Sequence, residues 1–214
     1  MHRIALLLLP LAILPAADGL RIACIGDSIT FGAGVDKREE RSYPKVLEGL
    51  AKATVLNAGV SGSTLLQAGD RPYRKTGQFT AALAFRPTVV VIMLGTNDSK
   101  PQNWDTHKQD FAKDMGELID TFAALDSKPA IWLCLPPPVQ RANFGIRPEV
   151  VEKQIVPLIA AVAKERKLGT IDVFGALKLH PELFPDGVHP NVDGAGLVAH
   201  AVARVLVAPT SRRR

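Results

Sequence analysis

Five short runs of apolar and β-branched residues recur along this chain, separated by stretches of helical periodicity, and no other feature narrows the fold so far. The runs are Leu20–Ile25, Thr54–Asn57, Thr88–Leu94, Ala130–Leu135 and Thr170–Val173, each bounded by Gly, Pro, Asn or Asp, as strand ends tend to be. Between the third and fourth, Phe111, Met115, Leu118, Phe122 and Leu125 are spaced 4, 3, 4 and 3 apart. Between the fourth and fifth, Val151, Ile155, Leu158 and Val162 are spaced 4, 3 and 4 apart. Each set is the stripe of a helix with one buried face. Ser42 with Pro44 just inside marks another helix start, and a last helix is expected from about Asp193 to Val207. Strands alternating with helices predict an α/β fold, a parallel sheet with helices on both faces.

No repeat or linker interrupts residues 20–207, which are expected to form one domain. Residues 1–19 read as a signal peptide. A basic start (His2, Arg3) precedes an apolar run from Ile4 to Leu14 that is too short to span a bilayer, then small residues, with cleavage expected near 17–19. The chain is therefore expected to be exported, to the periplasm or outside, with no stable membrane insertion after cleavage. Residues 208–214 are expected to be a disordered basic tail. Arg3, Arg212, Arg213 and Arg214 account for four of the net charge of +5, leaving +1 for the body. That excludes the basic footprint of a nucleic-acid binder. Cys24 and Cys134 fall in different strand runs and are expected to be buried free thiols.

Parallel sheets of this kind bind ligands beyond the carboxyl ends of their strands. The chemically suggestive segments all fall there: GDSIT after the first run, Gly59–Thr64 after the second, GTND after the third, and Asp186 with His189 after the fifth. A serine hydroxyl needs a base, itself oriented by a third group, to become a nucleophile. In Asp186-Gly187-Val188-His189-Pro190 the spacing of three lets a carboxylate curl back to the ring Nδ1, leaving Nε2 for a serine. Ser28, at a strand-to-helix junction, is the candidate nucleophile, and its backbone N–H can face an incoming carbonyl oxygen. Gly62 and Asn97 are candidate donors to a developing oxyanion. If the first strand lies between the second and third, about 4.8 Å from each, these residues converge. His180 is the alternative base. His107 and His200 are expected on helices, Asp27 and Asp98 as loop braces, and Ser61 and Ser63 as loop-shaping residues. No metal-ligand cluster or phosphate-binding glycine motif is present, so no cofactor is expected.

GDSIT at 26–30, GVSGST at 59–64, GTND at 95–98 and DGVHP at 186–190 resemble, in order, the four sequence blocks of the SGNH (GDSL-like) hydrolases. The resemblance implies a flavodoxin-like three-layer sandwich whose five-stranded parallel sheet has the order 2-1-3-4-5. It also implies Ser28, Asp186 and His189 as catalytic residues, and Ser28, Gly62 and Asn97 as the oxyanion hole. In that order the connection from Phe174 to Val188 must cross roughly 14 Å of sheet, which about fifteen residues span easily at about 3.3 Å each. LGTNDSKPQNW and HPELFPDGVHPN are similar to bacterial members acting on carbohydrate O-acetyl esters.

The segments expected to wall the site are Leu65–Gln78, Ser99–Thr106 and Val139–Arg147. They are rich in polar residues, among them Arg71, Lys100, Gln102 and Asn143. Polar walls suit a hydroxyl-rich substrate with a small acyl group. Tyr73 and Trp104 are expected substrate-binding aromatics, with Phe144 a third loop aromatic. The expected partner is a small-molecule or polysaccharide ester, and no nucleic acid. The rival readings are a lipid-directed esterase (lysophospholipase or thioesterase) and a non-catalytic carbohydrate-binding module.

Overall fold

The structure, a computed structural model, describes residues 19–207. Positions 1–18 of the expected signal peptide and the expected tail at 208–214 lie outside the described residues. Strands β1 (Arg21–Gly26), β2 (Thr54–Gly59), β3 (Val89–Met93), β4 (Ala130–Leu135) and β5 (Gly169–Asp172) form one sheet. Its order is β2-β1-β3-β4-β5 and every neighbouring pair is parallel, as expected. Helices α1 (Ser28–Phe31), α2 (Arg38–Arg41) and α3 (Tyr43–Ala51) follow β1, and α4 (Gly77–Ala84) follows β2. Then α5 (Pro101–His107) and α6 (Phe111–Ala123) follow β3, α7 (Pro148–Val150) and α8 (Val156–Glu165) follow β4, and α9 (Val173–Leu177) and α10 (Val192–Leu206) follow β5. Among the described residues no helix is long and apolar enough to cross a membrane.

The strand period of two separates the core into two layers. Ile22, Cys24, Val91, Met93, Cys134 and Ile171 pack against Leu47 of α3, Leu177 of α9 and Val198 of α10. Ala23, Ile25, Val90, Ile92 and Leu133 face the other way, onto Ala82 of α4, Phe111, Met115 and Phe122 of α6 and Ile159 of α8. Each large apolar side chain so buried contributes about 1.5–3 kcal/mol. Cys24 and Cys134 lie in the first layer as buried free thiols, with β3 between their strands.

One helix stripe and one strand end each shift by a residue. A π-helical stretch, Val151–Ile155, precedes α8, and its wider turn carries Ile159 rather than Leu158 to the fully buried position. Leu158 is half-buried against the same layer. At β5, the Asp172 carboxylate accepts the Gly175 N–H at 2.7 Å, so Val173 opens a helix instead of extending the strand.

What positions the site is the level ending of three strands. Gly26 pairs with both Gly59 of β2 and Met93 of β3. Both glycines admit α1 directly onto the strand ends. A Cβ at Gly26 would lie 2.0 Å from Thr30 Oγ1, and one at Gly59 would lie 2.1 Å from the Phe31 backbone nitrogen. Any side chain at either position would push the first turn of α1, and Ser28 with it, off the sheet.

Candidate active site

Ser28 is the first residue of α1, and Asp27 caps that helix by accepting the Ile29 N–H at 2.9 Å. The cap fixes the chain at the sharp strand-to-helix turn and holds Ser28 nearly buried, at 7% exposure. Ser28 Oγ lies 2.8 Å from His189 Nε2, and His189 Nδ1 lies 2.7 Å from Asp186 Oδ2. The other oxygen of Asp186 accepts the backbone N–H groups of Val188 at 2.8 Å and His189 at 2.7 Å. Gly187, at φ +85°, lets the chain fold back into this turn. Burial pushes the Asp186 carboxyl up, but the His189 and Val188 N–H groups and the imidazole outweigh it and hold it below its ordinary range. An ionised carboxylate at Nδ1 favours the tautomer that leaves the Nε2 lone pair facing the hydroxyl. A serine so paired can lose its proton as it attacks an electrophile.

Gly62 and Asn97 line the same cleft as Ser28 and His189, a space of about 300 Å³. Gly62 adopts φ +81° in the turn after β2. Asn97 Nδ2 donates to the Ser63 carbonyl at 3.2 Å and, at a longer 3.4 Å, to Asp27. The Asn97 carbonyl in turn accepts from Asn103 Nδ2 at 3.0 Å, which fixes the loop after β3. Asp98 braces the neighbouring loop, accepting the N–H groups of Leu65 at 3.0 Å and Leu66 at 2.8 Å. Burial pushes the Asp98 carboxyl up to about 7 despite those donors. It pushes Asp27 up to about 6, against the Ile29 N–H and the field of His189. Both aspartates are loop braces, as expected from sequence.

The other histidines are elsewhere. His180 is exposed, 3.1 Å from Glu182, in a separate groove of about 540 Å³ that also holds His200 and shares no residue with the Ser28 cleft. The larger hollow is thus not the one that holds Ser28 and His189. His107 ends α5.

Two expectations are corrected. Tyr73 is 1% exposed, with its hydroxyl donating to the Ala58 carbonyl at 2.8 Å. Trp104 is 3% exposed, with its indole N–H on Gln154 at 2.8 Å and its ring edge-on to Phe111. Neither lines the cleft. Both are loop-proximal in sequence, but their large apolar area draws them into the core, where one hydrogen bond satisfies each polar tip. The aromatic at the cleft is Phe144, 58% exposed, its ring centred 5.5 Å from that of His189. Its φ of +53° is uncommon for a bulky residue.

Sequence reasoning missed what holds that loop. Asn143 Nδ2 donates to the Asp186 carbonyl at 2.9 Å, and the Gln140 N–H donates to the Gly187 carbonyl at 2.8 Å. The loop before α7 is thereby tied to the turn that carries His189. Its one local signal is Asn143-Phe144-Gly145, a turn-forming sequence.

The sheet order, with helices on both faces, is the three-layer α/β fold of the SGNH hydrolases. Residues 24–197 match the GDSL-like lipase/acylhydrolase family, and the chain belongs to it. An acetylxylan esterase from Xylanibacter ruminicola is 38% identical over 213 residues, an alignment covering 90% of this chain and 44% of that protein. The chain thus spans under half the length of this relative. Among solved structures, a carbohydrate acetylesterase from Sinorhizobium meliloti superposes with a TM-score of 0.71 at 22% identity, covering 88% of this chain and 99% of that one. An acetylxylan esterase from Geobacillus stearothermophilus superposes with a TM-score of 0.67 at 23% identity, covering 87% and 93%. At these identities the structures speak to the fold.

Proposed function

We propose that this chain is an exported serine esterase that removes acetyl groups from carbohydrate through an acyl-enzyme. The observation that carries the reading is the hydrogen-bonded series Ser28–His189–Asp186 opening onto a cleft shared with Gly62 and Asn97. Ser28 Oγ attacks the ester carbonyl carbon while its proton passes to His189 Nε2. The oxygen that gains negative charge accepts hydrogen bonds from the backbone N–H groups of Ser28 and Gly62 and from Asn97 Nδ2, which gives up its long 3.4 Å contact with Asp27. As the carbonyl re-forms, the bond to the alcohol oxygen breaks and His189 returns the proton to it. Water, deprotonated by His189, attacks the acyl-serine in the same way and releases the acid. Asp186 stays ionised, orienting the ring and stabilising its cationic form.

The acetyl preference is supported by the walls of the cleft. Among the described residues that line it, Ala33, Phe144 and Ile146 alone are apolar beyond glycine. A long acyl chain gains about 0.8 kcal/mol per CH₂ only where each is buried against apolar surface. The named activities of the relatives agree with this reading. Its test is a p-nitrophenyl ester series from acetyl to octanoyl. Activity is expected to peak at acetyl, decline steeply beyond butyryl and disappear in Ser28→Ala. A peak at octanoyl transfers the site to the lipid-directed reading, and no Ser28-dependent hydrolysis leaves a binding module.

A further inference from the structure

Resting on that esterase reading, we infer that the acetylated saccharide carries a carboxylate, as a uronic acid does, and that Arg71 with Lys100 receives it. These two cations line the cleft beside Ser28, and among the described residues no aspartate or glutamate lines it. The proposed acyl group is acetyl, which carries no charge, so a charge recognised here belongs to the alcohol half of the ester.

Arg71 is anchored at its backbone and unengaged at its tip. Its carbonyl accepts the Thr64 N–H at 2.9 Å, and Pro72 beside it bridges to Thr64. The preceding residue is fixed too. The Asp70 N–H donates to Asn103 at 2.8 Å, and the Asp70 carboxylate accepts from Gln102 at 3.0 Å and Asn103 at 3.1 Å. Among the described residues the Arg71 guanidinium makes no hydrogen bond or ion pair. Arg74, three residues on, is engaged by Thr121 at 3.3 Å and Glu117 at 3.9 Å. The Arg71 stem runs over Gly62, where an added Cβ would sit 3.5 Å from its Cδ. An uncommitted guanidinium therefore stands beside a proposed oxyanion donor, on a backbone already immobilised. Its planar fork matches a carboxylate with two parallel hydrogen bonds. Lys100 lies 3.6 Å from Asp70, which offsets part of its charge, and it adds the same sign to the cleft. A cleft walled by one sign draws in the opposite one, more so at low salt.

The test compares acetate release from three probes: an acetylated methyl glucuronoside, its neutral uronamide, and the same acetylated glucoside bearing a 6-phosphate. At an ionic strength of about 0.01 M, kcat/KM for the uronate is expected to exceed that for the amide about tenfold, or about 1.4 kcal/mol. The ratio should fall toward one in Arg71→Gln, invert in Arg71→Glu and shrink at about 0.5 M salt. Because each ratio is taken within one variant, any difference in folded fraction cancels. Uronate and amide cleaved equally by the parent, or a ratio unmoved by Arg71→Glu, overturns this inference and leaves the esterase reading standing. A phosphate ester that outpaces the uronate overturns the carboxylate assignment. Acetate released from none of the probes overturns the esterase reading and this one together.

Discussion

Replacing Asp186 by asparagine tests the proposed chemistry through a single proton. Asn is nearly isosteric, but the turn dictates its orientation. Two backbone N–H groups, of Val188 and His189, point at one oxygen of residue 186 from 2.8 and 2.7 Å. The amide oxygen must take that place, since an NH₂ group there would oppose two donors. The NH₂ is then forced to the other position, 2.7 Å from His189 Nδ1. A donor there demands a lone pair on Nδ1, which moves the ring proton to Nε2, facing Ser28 with a donor where an acceptor is required. Such a wrong tautomer costs about 10⁴ in kcat, about 5.5 kcal/mol of transition-state stabilisation. Asp186→Ala loses the brace on the turn yet leaves the tautomer free, so it should retain more kcat than Asp186→Asn. The assay is kcat on p-nitrophenyl acetate for parent and both variants, with urea denaturation to show that all three are folded. An Asn variant within tenfold of the parent, or one more active than the Ala variant, refutes the tautomer argument. The held-down carboxyl also sets a pH direction. Its stabilising contribution is complete above the ordinary aspartate range and is lost as pH falls through the lower folded value.

Asn97→Ala should lower kcat on p-nitrophenyl acetate by roughly 10²–10³ with little change in KM, and a rise in KM alone would make Asn97 a ground-state contact. The raised carboxyls of Asp98, about 7, and Asp27, about 6, bind protons in the folded state that the unfolded chain releases near its ordinary value of 3.8. Stability in urea melts should therefore decline as pH rises from about 4 to about 7, and Asp98→Asn should flatten that slope while lowering stability, because its NH₂ meets a backbone donor. Equal slopes in parent and variant would show that Asp98 does not titrate there. Burial pushes the Cys24 thiol up to about 12 and raises Cys134 as well, so neither should react with a thiol reagent at pH 8 until the protein is unfolded, and both should then react. A native mass short of two hydrogens would reveal a bridge across β3.

Where residues carry local signals, the sequence was informative. Gly-Asp-Ser after a β-branched run, the Asp-to-His spacing of three and the breaks between apolar runs are written within a few residues; they located the sheet and singled out Ser28, Asp186 and His189, side chains that the structure brings into contact. Burial is a tertiary outcome. Tyr73 and Trp104 have the same loop-like flanks as Phe144, and only the packing of Phe79 and Phe111 against them decides which aromatics are covered. The one-residue shift from Leu158 to Ile159 is of the same kind. Nothing in Val151–Ile155 announces a wider turn, and a strict helical period placed the stripe one residue early. The tie from Asn143 to Asp186 joins residues 43 apart, beyond the reach of any spacing rule.

That tie has a consequence for how such an enzyme can be altered. Phe144, which overlooks the cleft, and Asn143, which grips the carbonyl of Asp186, are consecutive. A loop exchanged between relatives to admit a bulkier alcohol half of the ester would bring its own residue at 143, and with it a new resting position for the imidazole. Breadth of substrate and turnover are therefore inherited together, and segment shuffling here should give mostly inert chimaeras. Single changes at 144, which leave the grip of 143 intact, offer the narrow route by which the range of alcohols can drift while the proposed proton relay stays aligned.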